Sequence, residues 1–376
     1  MNSSTHAPTM RHKRLAVVST FIALVFLSLF YLSSHDSLYS PIPEPEIISE
    51  DPQQTGDPAL PSSYAEFDFS LPKEKLAAEL FSFPRSSRPK WLSTPAPQSP
   101  LVFRIAIITH PRDFDKRDAV RKYTLSNVPT SACKFSYRFI LGYGNEAEDK
   151  LVLEEMHKYG DIVRLDMKED KRRMGEKRWR MLRWAAEEHR GPYDYFLSLD
   201  TDAFVRLHAL ALRTRAMHPE FKPREESIMW AQVQEHKVHF VANPVDNEET
   251  VLLEDDKVFK PEEFNGPVWY PYPIGFAYLM SSHLVARLMD PEVKLAHHVS
   301  FPSDDVMVGM WVSEWATDTK VIRDKTGFHD PPGHNYHPED TEPITWDSVV
   351  LHHVAPWEFR ELRRVKEWKG EWLKTI

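Results

Sequence analysis

YDYFLSLDTDAFV, residues 193–205, is the stretch whose reading decides the fold. The apolar, aromatic run in it has the make-up of a buried strand, and Asp200 and Asp202 stand where that run ends. In an open α/β sheet, ligands bind beyond the carboxyl ends of the strands, so both carboxylates would face a crevice. Two hard oxygen ligands at that spacing suit Mg²⁺ or Mn²⁺ bridging phosphate oxygens. The same pair would also serve a turn that caps the next helix. The rest of the chain has to choose between these readings.

Working outward from that strand, the pattern alternates. Residues 101–109 (LVFRIAIIT) read as a strand, 115–125 as a helix, and 135–141 (FSYRFIL) as a second strand closed by Gly142. Residues 151–159 read as a helix and 160–163 lead into a short strand. Residues 171–189 read as a basic amphipathic helix with Trp179, Leu182 and Ala186 at core spacing. Strand and helix in alternation predict a mostly parallel sheet wrapped by helices. Arg117 and Arg121 stand one helical turn apart, where two guanidiniums could hold a diphosphate or merely line a solvated face.

On the carboxyl side, 227–234 reads as a strand and the acidic stretch 240–263 as a surface insertion. The run WYPYPIGFAYLMS, 269–281, predicts a proline- and glycine-shaped turn with aromatic walls, then a strand from Ala277. Asp304 and Asp305 open a helix, as caps or as a general base. The strand-like 349–354 ends in His352-His353, a source of a neutral imidazole ligand or of a hydrogen-bonded core histidine. His297-His298 reads as surface, 327–338 as a loop, and 357–372 as a charged terminal helix.

Composition narrows the function classes. The chain has 376 residues and a net charge of −9, with no dominant basic face for nucleic acid. Its single cysteine, Cys133, excludes an intramolecular disulfide and a cysteine-based zinc site. Residues 15–32 run without a charge after Arg11, Lys13 and Arg14. Eighteen helical residues reach about 27 Å, close to the roughly 30 Å hydrocarbon core. The expected organisation is a cytosolic tail (1–14), a transmembrane anchor (15–34), a stem (35–100) and a lumenal domain (101–376). Twelve of the thirty prolines fall between Pro41 and Pro100, which makes the stem a spacer rather than a packed element. Within it, 76–83 is expected to form a short helix that docks on the domain.

The order of these motifs resembles the β-1,3-glycosyltransferase family that includes the β-1,3-galactosyltransferases and the Fringe enzymes, over about residues 101–360. Arg117-x-Ala119-Val120-Arg121 resembles its first block, and Phe139-Ile140-Leu141-Gly142 its strand end. Tyr159-Gly160-Asp161-Ile162 with Lys177 resembles the next block, and Asp200-Thr201-Asp202-Ala203-Phe204-Val205 its Asp-Asp-Asp-Val-Phe-Val. Tyr270-Pro271-Tyr272-Pro273 with Gly275 and Tyr278, Asp304-Asp305-Val306-x-Val308-Gly309, and His352-x-Val354-Ala355-Pro356 follow in the family's order. The departures are Tyr123-Thr124 for Thr-Trp, Thr201 for the middle Asp, Ser198 for a Lys, and Ala277 for a Gly.

The resemblance implies a GT-A-like α/β fold in a single domain and inverting transfer from a UDP-sugar to a glycan or glycoconjugate hydroxyl, with Mn²⁺ or Mg²⁺. It implies Asp202 on the metal, Asp200 on the ribose or the metal, and His352 as the distant metal ligand with His353 in reserve. Arg117, Arg121 and Lys177 fall on the donor side, and Asp305 or Asp304 would be the base. A Golgi membrane location with a lumenal domain also follows. Rival readings are a membrane-anchored glycan-binding protein without activity, and a phosphatase with Asp200 as nucleophile.

Overall fold

The computed structural model describes residues 75–93, 99–187, 190–234, 238–239, 243–244, 267–268, 271–295, 299–300, 304–334 and 341–373. These residues belong to one compact unit, 63–376. The expected tail, anchor and most of the stem lie outside the described residues, as do most of the 240–263 insertion, Tyr270 and His297-His298. Among the described residues no helix is long and apolar enough to cross a membrane.

The sheet begins with β1 (Leu101–Ile108), β2 (Cys133–Tyr143), β3 (Ile162–Lys168) and β4 (Tyr195–Asp200). It is completed by β6 (Ile228–Gln234), β7 (Tyr272–Ser281) and β8 (Lys320–Arg323). The seven strands lie in the order β8-β6-β7-β4-β1-β2-β3. Only β7 is antiparallel to its neighbours. The mostly parallel, helix-flanked, GT-A-like α/β architecture expected above is therefore the one found.

Both faces of the central strands are buried, which is why they read as continuous apolar runs. Ile105, Ile107, Leu197 and Leu199 pack into one core; Ala106, Ile108, Phe196 and Tyr278 pack into the other. Ser198 shares the second face and is wholly buried. The parallel register sets Ile108 beside Ile140 and beside Asp200, so three strand ends share one rim.

The helices are α1 (Phe114–Ala119), α2 (Glu146–Tyr159), α3 (Met174–Ala186), α4 (Leu207–Met217), α5 (Ser282–Leu288), α6 (Asp304–Trp315) and α7 (Pro356–Arg363). Helix α2 starts earlier than its apolar pattern predicts, because Asn145 and Glu148 form a capping box ahead of it. It stops at Gly160, whose φ of 63° is the left-handed conformation glycine adopts freely. Beyond Ala119 the predicted helix 115–125 changes to a π-helical turn, Val120–Leu125. Helix α3 is shorter than expected and differently turned: Trp184 is buried, whereas Trp179 is only partly buried. Its buried face includes Glu176, Lys177 and Arg178, which a purely apolar pattern does not mark. The terminal helix stops at Arg363, and a 3₁₀ turn at Lys366–Trp368 carries the buried Trp368.

A second, small sheet places the site. β5 (Phe204–Val205) pairs antiparallel with β10 (Val350–Leu351), which pairs parallel with β9 (Phe328–His329). The docking expected of 76–83 is present as a 3₁₀ turn, Ala78–Leu80, rather than an α-helix. Ser82 N donates to Ile344 O at 2.8 Å, and Phe83 lies 5.1 Å from Trp346, ring centre to ring centre.

Candidate functional site at the strand ends

Strand β4 delivers Asp200 to the rim, and the turn after it delivers Asp202. Ala203 N donates to Asp200 O at 3.1 Å, closing that turn. The chain at once enters β5, and β5 recruits β10, with Leu351 opposite Phe204. His352 is the next residue after β10. Val354 N donates to Asp202 O at 2.8 Å, so the backbone ladder itself ties the histidine segment to the aspartate turn.

The outcome is a cluster of three. Asp200, Asp202 and His352 each offer a ligand atom within 4.8 Å of the others. His352 Nε2 lies 3.7 Å from Asp202 Oδ1, too long for a hydrogen bond. Phe276, midway along β7, stacks on the His352 ring at 4.5 Å and 10°. Asp200 Oδ1 is buried and accepts no hydrogen bond, although the side chain as a whole is 30 % exposed. Burial pushes the Asp200 carboxyl up to about 6; Arg178 opposes this and Asp202 adds to it. Two carboxylate oxygens and one imidazole nitrogen form a donor set suited to a divalent cation.

Arg178, absent from the candidate residues of the sequence reading, is the hub behind this cluster. Its guanidinium is almost wholly buried. Nη1 donates to Ser198 Oγ at 2.8 Å and Nη2 to Gly275 O at 3.0 Å, while Nε donates to Asp304. Nη2 also lies 3.6 Å from Asp200 Oδ1. One buried cation thus faces both the aspartate turn and the start of α6.

Asp305 is held differently. Its Oδ2 accepts from Gly275 N at 3.1 Å and its Oδ1 from Val306 N at 2.8 Å. Burial, then the neighbouring Asp304 charge, raises the Asp305 carboxyl to about 6. A carboxyl that titrates there is suited to accepting a proton near neutral pH. Helix α6 comes close to β7 only because of Gly309: a Cβ there would meet Tyr272 Cβ at 2.4 Å and Pro271 O at 2.7 Å.

The other predicted residues sit elsewhere. Arg117 donates to Glu155 through Nε at 3.0 Å and through Nη2 at 2.6 Å; Arg121 binds Asp161 at 2.7 Å and Glu155 at 2.6 Å. These guanidiniums are spent on buried carboxylates, and the pair is not turned toward the three-residue cluster. Lys177 Nζ donates to Thr109 O at 2.7 Å and to Glu169 Oε1 at 2.6 Å, and the residue is 1 % exposed. Besides Arg178, Lys116 reaches the cluster, with Nζ 3.7 Å from Asp202 Oδ2. Its adjacency to Arg117 was the only sequence signal for it. His353 is turned from the cluster to Asp330, 3.1 Å away.

Comparison with known proteins follows the same lines. A family model described as galactosyltransferase matches residues 115–323, more than half of the chain. UDP-GalNAc:beta-1,3-N-acetylgalactosaminyltransferase 1 of Sus scrofa is 25 % identical over 236 residues, covering 61 % of this chain and 65 % of that protein. The Homo sapiens protein of that name is 26 % identical with the same coverage. Hydroxyproline O-galactosyltransferase GALT2 of Arabidopsis thaliana is 21 % identical over 62 % of this chain and 31 % of its own length. The chain therefore spans just under two thirds of the first two relatives and about a third of the last. The matched family span contains Arg178, both aspartate pairs and Gly309, and it ends before His352.

Proposed function

The chain belongs to the galactosyltransferase family, and on that premise we propose that it transfers a hexose or N-acetylhexosamine from a UDP-sugar to a glycan or glycoconjugate hydroxyl. The proposed reaction inverts the anomeric centre and forms a β-1,3 linkage. The observation that carries this reading is the convergence of Asp200, Asp202 and His352, from distant parts of the chain, within 4.8 Å.

A divalent cation fits these residues. The buried Asp200 Oδ1 accepts no hydrogen bond and faces only the Arg178 guanidinium at 3.6 Å, and the two-oxygen, one-nitrogen set matches Mn²⁺ or Mg²⁺. Such an ion, when bound, supplies Lewis-acid stabilisation of the leaving diphosphate. Lys116, with Nζ 3.7 Å from Asp202 Oδ2, would supply a further positive charge for the same diphosphate. Arg117 and Arg121 support the rim through Glu155 and Asp161 rather than touching the donor.

Asp305 accepts the proton of the acceptor hydroxyl as that oxygen attacks the sugar. Its raised carboxyl makes it the better base of the pair, whereas Asp304 is engaged in an ion pair with Arg178. Gly275 N and Val306 N fix the Asp305 side chain, so little reorganisation is left for the reacting complex. Residues 15–34 anchor the protein in a Golgi membrane with the catalytic domain lumenal.

The test is UDP release from a panel of UDP-sugars with Mn²⁺, with and without chelator. Chelator-sensitive release from at least one donor is expected. No release from any donor, with or without glycan acceptors, would sink the proposal.

A further inference from the structure

Asp330 belongs to none of the motifs read from the sequence, yet it touches the candidate metal histidine. It follows β9 directly. Its Oδ1 lies 3.0 Å from His352 Nδ1 and 3.1 Å from His353 Nδ1.

We propose that Asp330 is a positioning residue for the cation site, fixing His352 with its Nδ1–H on the carboxylate and its Nε2 lone pair toward Asp200 and Asp202. The inference rests on the cation-site reading above and extends it to Asp330, which with His352 and His353 also offers ligand atoms within 4.8 Å of one another, but at Nδ1 of His352 rather than at the Nε2 that faces Asp202.

The geometry supports it in three ways. A neutral imidazole has one N–H, and a carboxylate on Nδ1 selects the tautomer that carries the proton there. Nε2 is then an acceptor, and it is Nε2 that lies 3.7 Å from Asp202 Oδ1. A lone pair facing two carboxylates suits a cation better than a hydrogen bond.

Second, the ring plane is already fixed from both sides. Phe276 stacks on one face at 4.5 Å, and His353 stacks at 3.7 Å. What the stacking leaves open is rotation within the plane and the choice of tautomer, and Asp330 sets both.

Third, the backbone is bent to make this contact. Successive side chains in an extended strand point to opposite sides. His353 instead has a φ of 55°, a left-handed conformation costly for a residue other than glycine. That turn brings two consecutive imidazoles onto one carboxylate oxygen. His352 N donates to His329 O at 3.2 Å, so β9 supplies a backbone anchor and, one residue later, the carboxylate. A histidine ligand oriented in this way holds its metal about 10–100-fold more tightly than one left free.

The experiment measures Mn²⁺ affinity of the full chain in detergent by calorimetry, without donor or acceptor. The proteins are wild type, Asp330→Asn, Asp330→Ala and Asp202→Ala. Both Asp330 variants are expected to bind Mn²⁺ about 10–100-fold more weakly, with metal-free melting temperatures near wild type. In parallel, long-range ¹H–¹⁵N spectra of the wild type read the His352 tautomer without any variant having to fold. The Nδ1–H form is expected, and the Nε2–H form overturns the inference. Loss of Mn²⁺ in Asp202→Ala with wild-type affinity in both Asp330 variants overturns it while sparing the cation site. Absence of Mn²⁺ binding by the wild type removes both.

Discussion

Arg178 Nη1 donates to Ser198 Oγ at 2.8 Å, at the strand position where the resembled family carries a lysine. Both groups are buried, and the small hydroxyl leaves room for the guanidinium. Positive charge therefore reaches the two aspartate pairs from helix α3 instead of from strand β4.

That relationship yields the first prediction. Arg178→Ala strands Asp304 and Asp200 without their counter-ion, and truncation of one partner of a buried pair costs about 3–5 kcal/mol. Arg178→Lys restores little, because one ammonium cannot reproduce a fork that serves Ser198, Gly275 and Asp304 together. Ser198→Lys alone also destabilises, by forcing a second cation against the first, and combining it with Arg178→Ala recovers part of the loss. Urea unfolding of the four proteins checks this, and a strictly additive double mutant would contradict it.

Asp202→Ala is expected to remove metal-dependent transfer while the domain stays folded. Asp202 is partly exposed and contributes a ligand atom rather than core packing. Circular dichroism and UDP release are measured on the same sample. Full turnover in a folded Asp202→Ala protein would end the metal assignment.

Asp305→Asn is expected to cost about 10²–10⁴-fold in turnover, the usual share of acid–base catalysis, and to leave donor binding intact. Its stability has the opposite sign. The folded carboxyl titrates at about 6, above the ordinary aspartate value, so its favourable contribution exists at low pH. That contribution is lost as pH rises through 6. The variant should therefore be more stable than wild type at pH 8, with the difference shrinking below about pH 4. Turnover of the wild type should rise with pH through 6. A fall in turnover in Asp304→Asn alone would exchange the two roles.

Gly309→Ala should lower stability by about 1–3 kcal/mol, the usual cost of overpacking. The added methyl meets Tyr272 Cβ at 2.4 Å and backbone at Pro271. Since α6 carries Asp304 and Asp305, turnover should fall with it. Thermal melts and initial rates test both, and unchanged values would mean that α6 can shift freely against β7.

A chain beginning at Lys75 should melt higher than one beginning at Ser99. The difference is the segment that buries Trp91 and sets Phe83 against Trp346 and Trp368, with ring centres 5.1 and 6.0 Å apart. Equal melting temperatures would show that the docked segment adds no stability.

Much of the sheet was legible along the chain. Strands buried on both faces are long apolar runs, and 101–109 could be read to within a residue, as could the end of the central strand at Asp200. Helix α2 was read late because its first turn is all polar, the capping box alone marking the start. The buried face of α3 was misjudged because its charged members, Glu176, Lys177 and Arg178, are each paired with polar groups such as Arg180, Glu169 and Ser198 rather than following an apolar pattern. Arg117 and Arg121 looked free because their partners, Glu155 and Asp161, lie on or after another helix.

By itself the sequence determined the alternating α/β plan, the strand that ends in Asp200, and the order of motifs, because periodicity and turn chemistry are local. The tertiary structure decided what meets there. The pairing of β5 with β10 carries His352 150 residues back to Asp202. The placement of Arg178 between Asp200 and Asp304 and the contact of Asp330 with two imidazoles arise between elements that share no sequence neighbourhood. Contacts of that kind depend on register and packing, which no local pattern encodes.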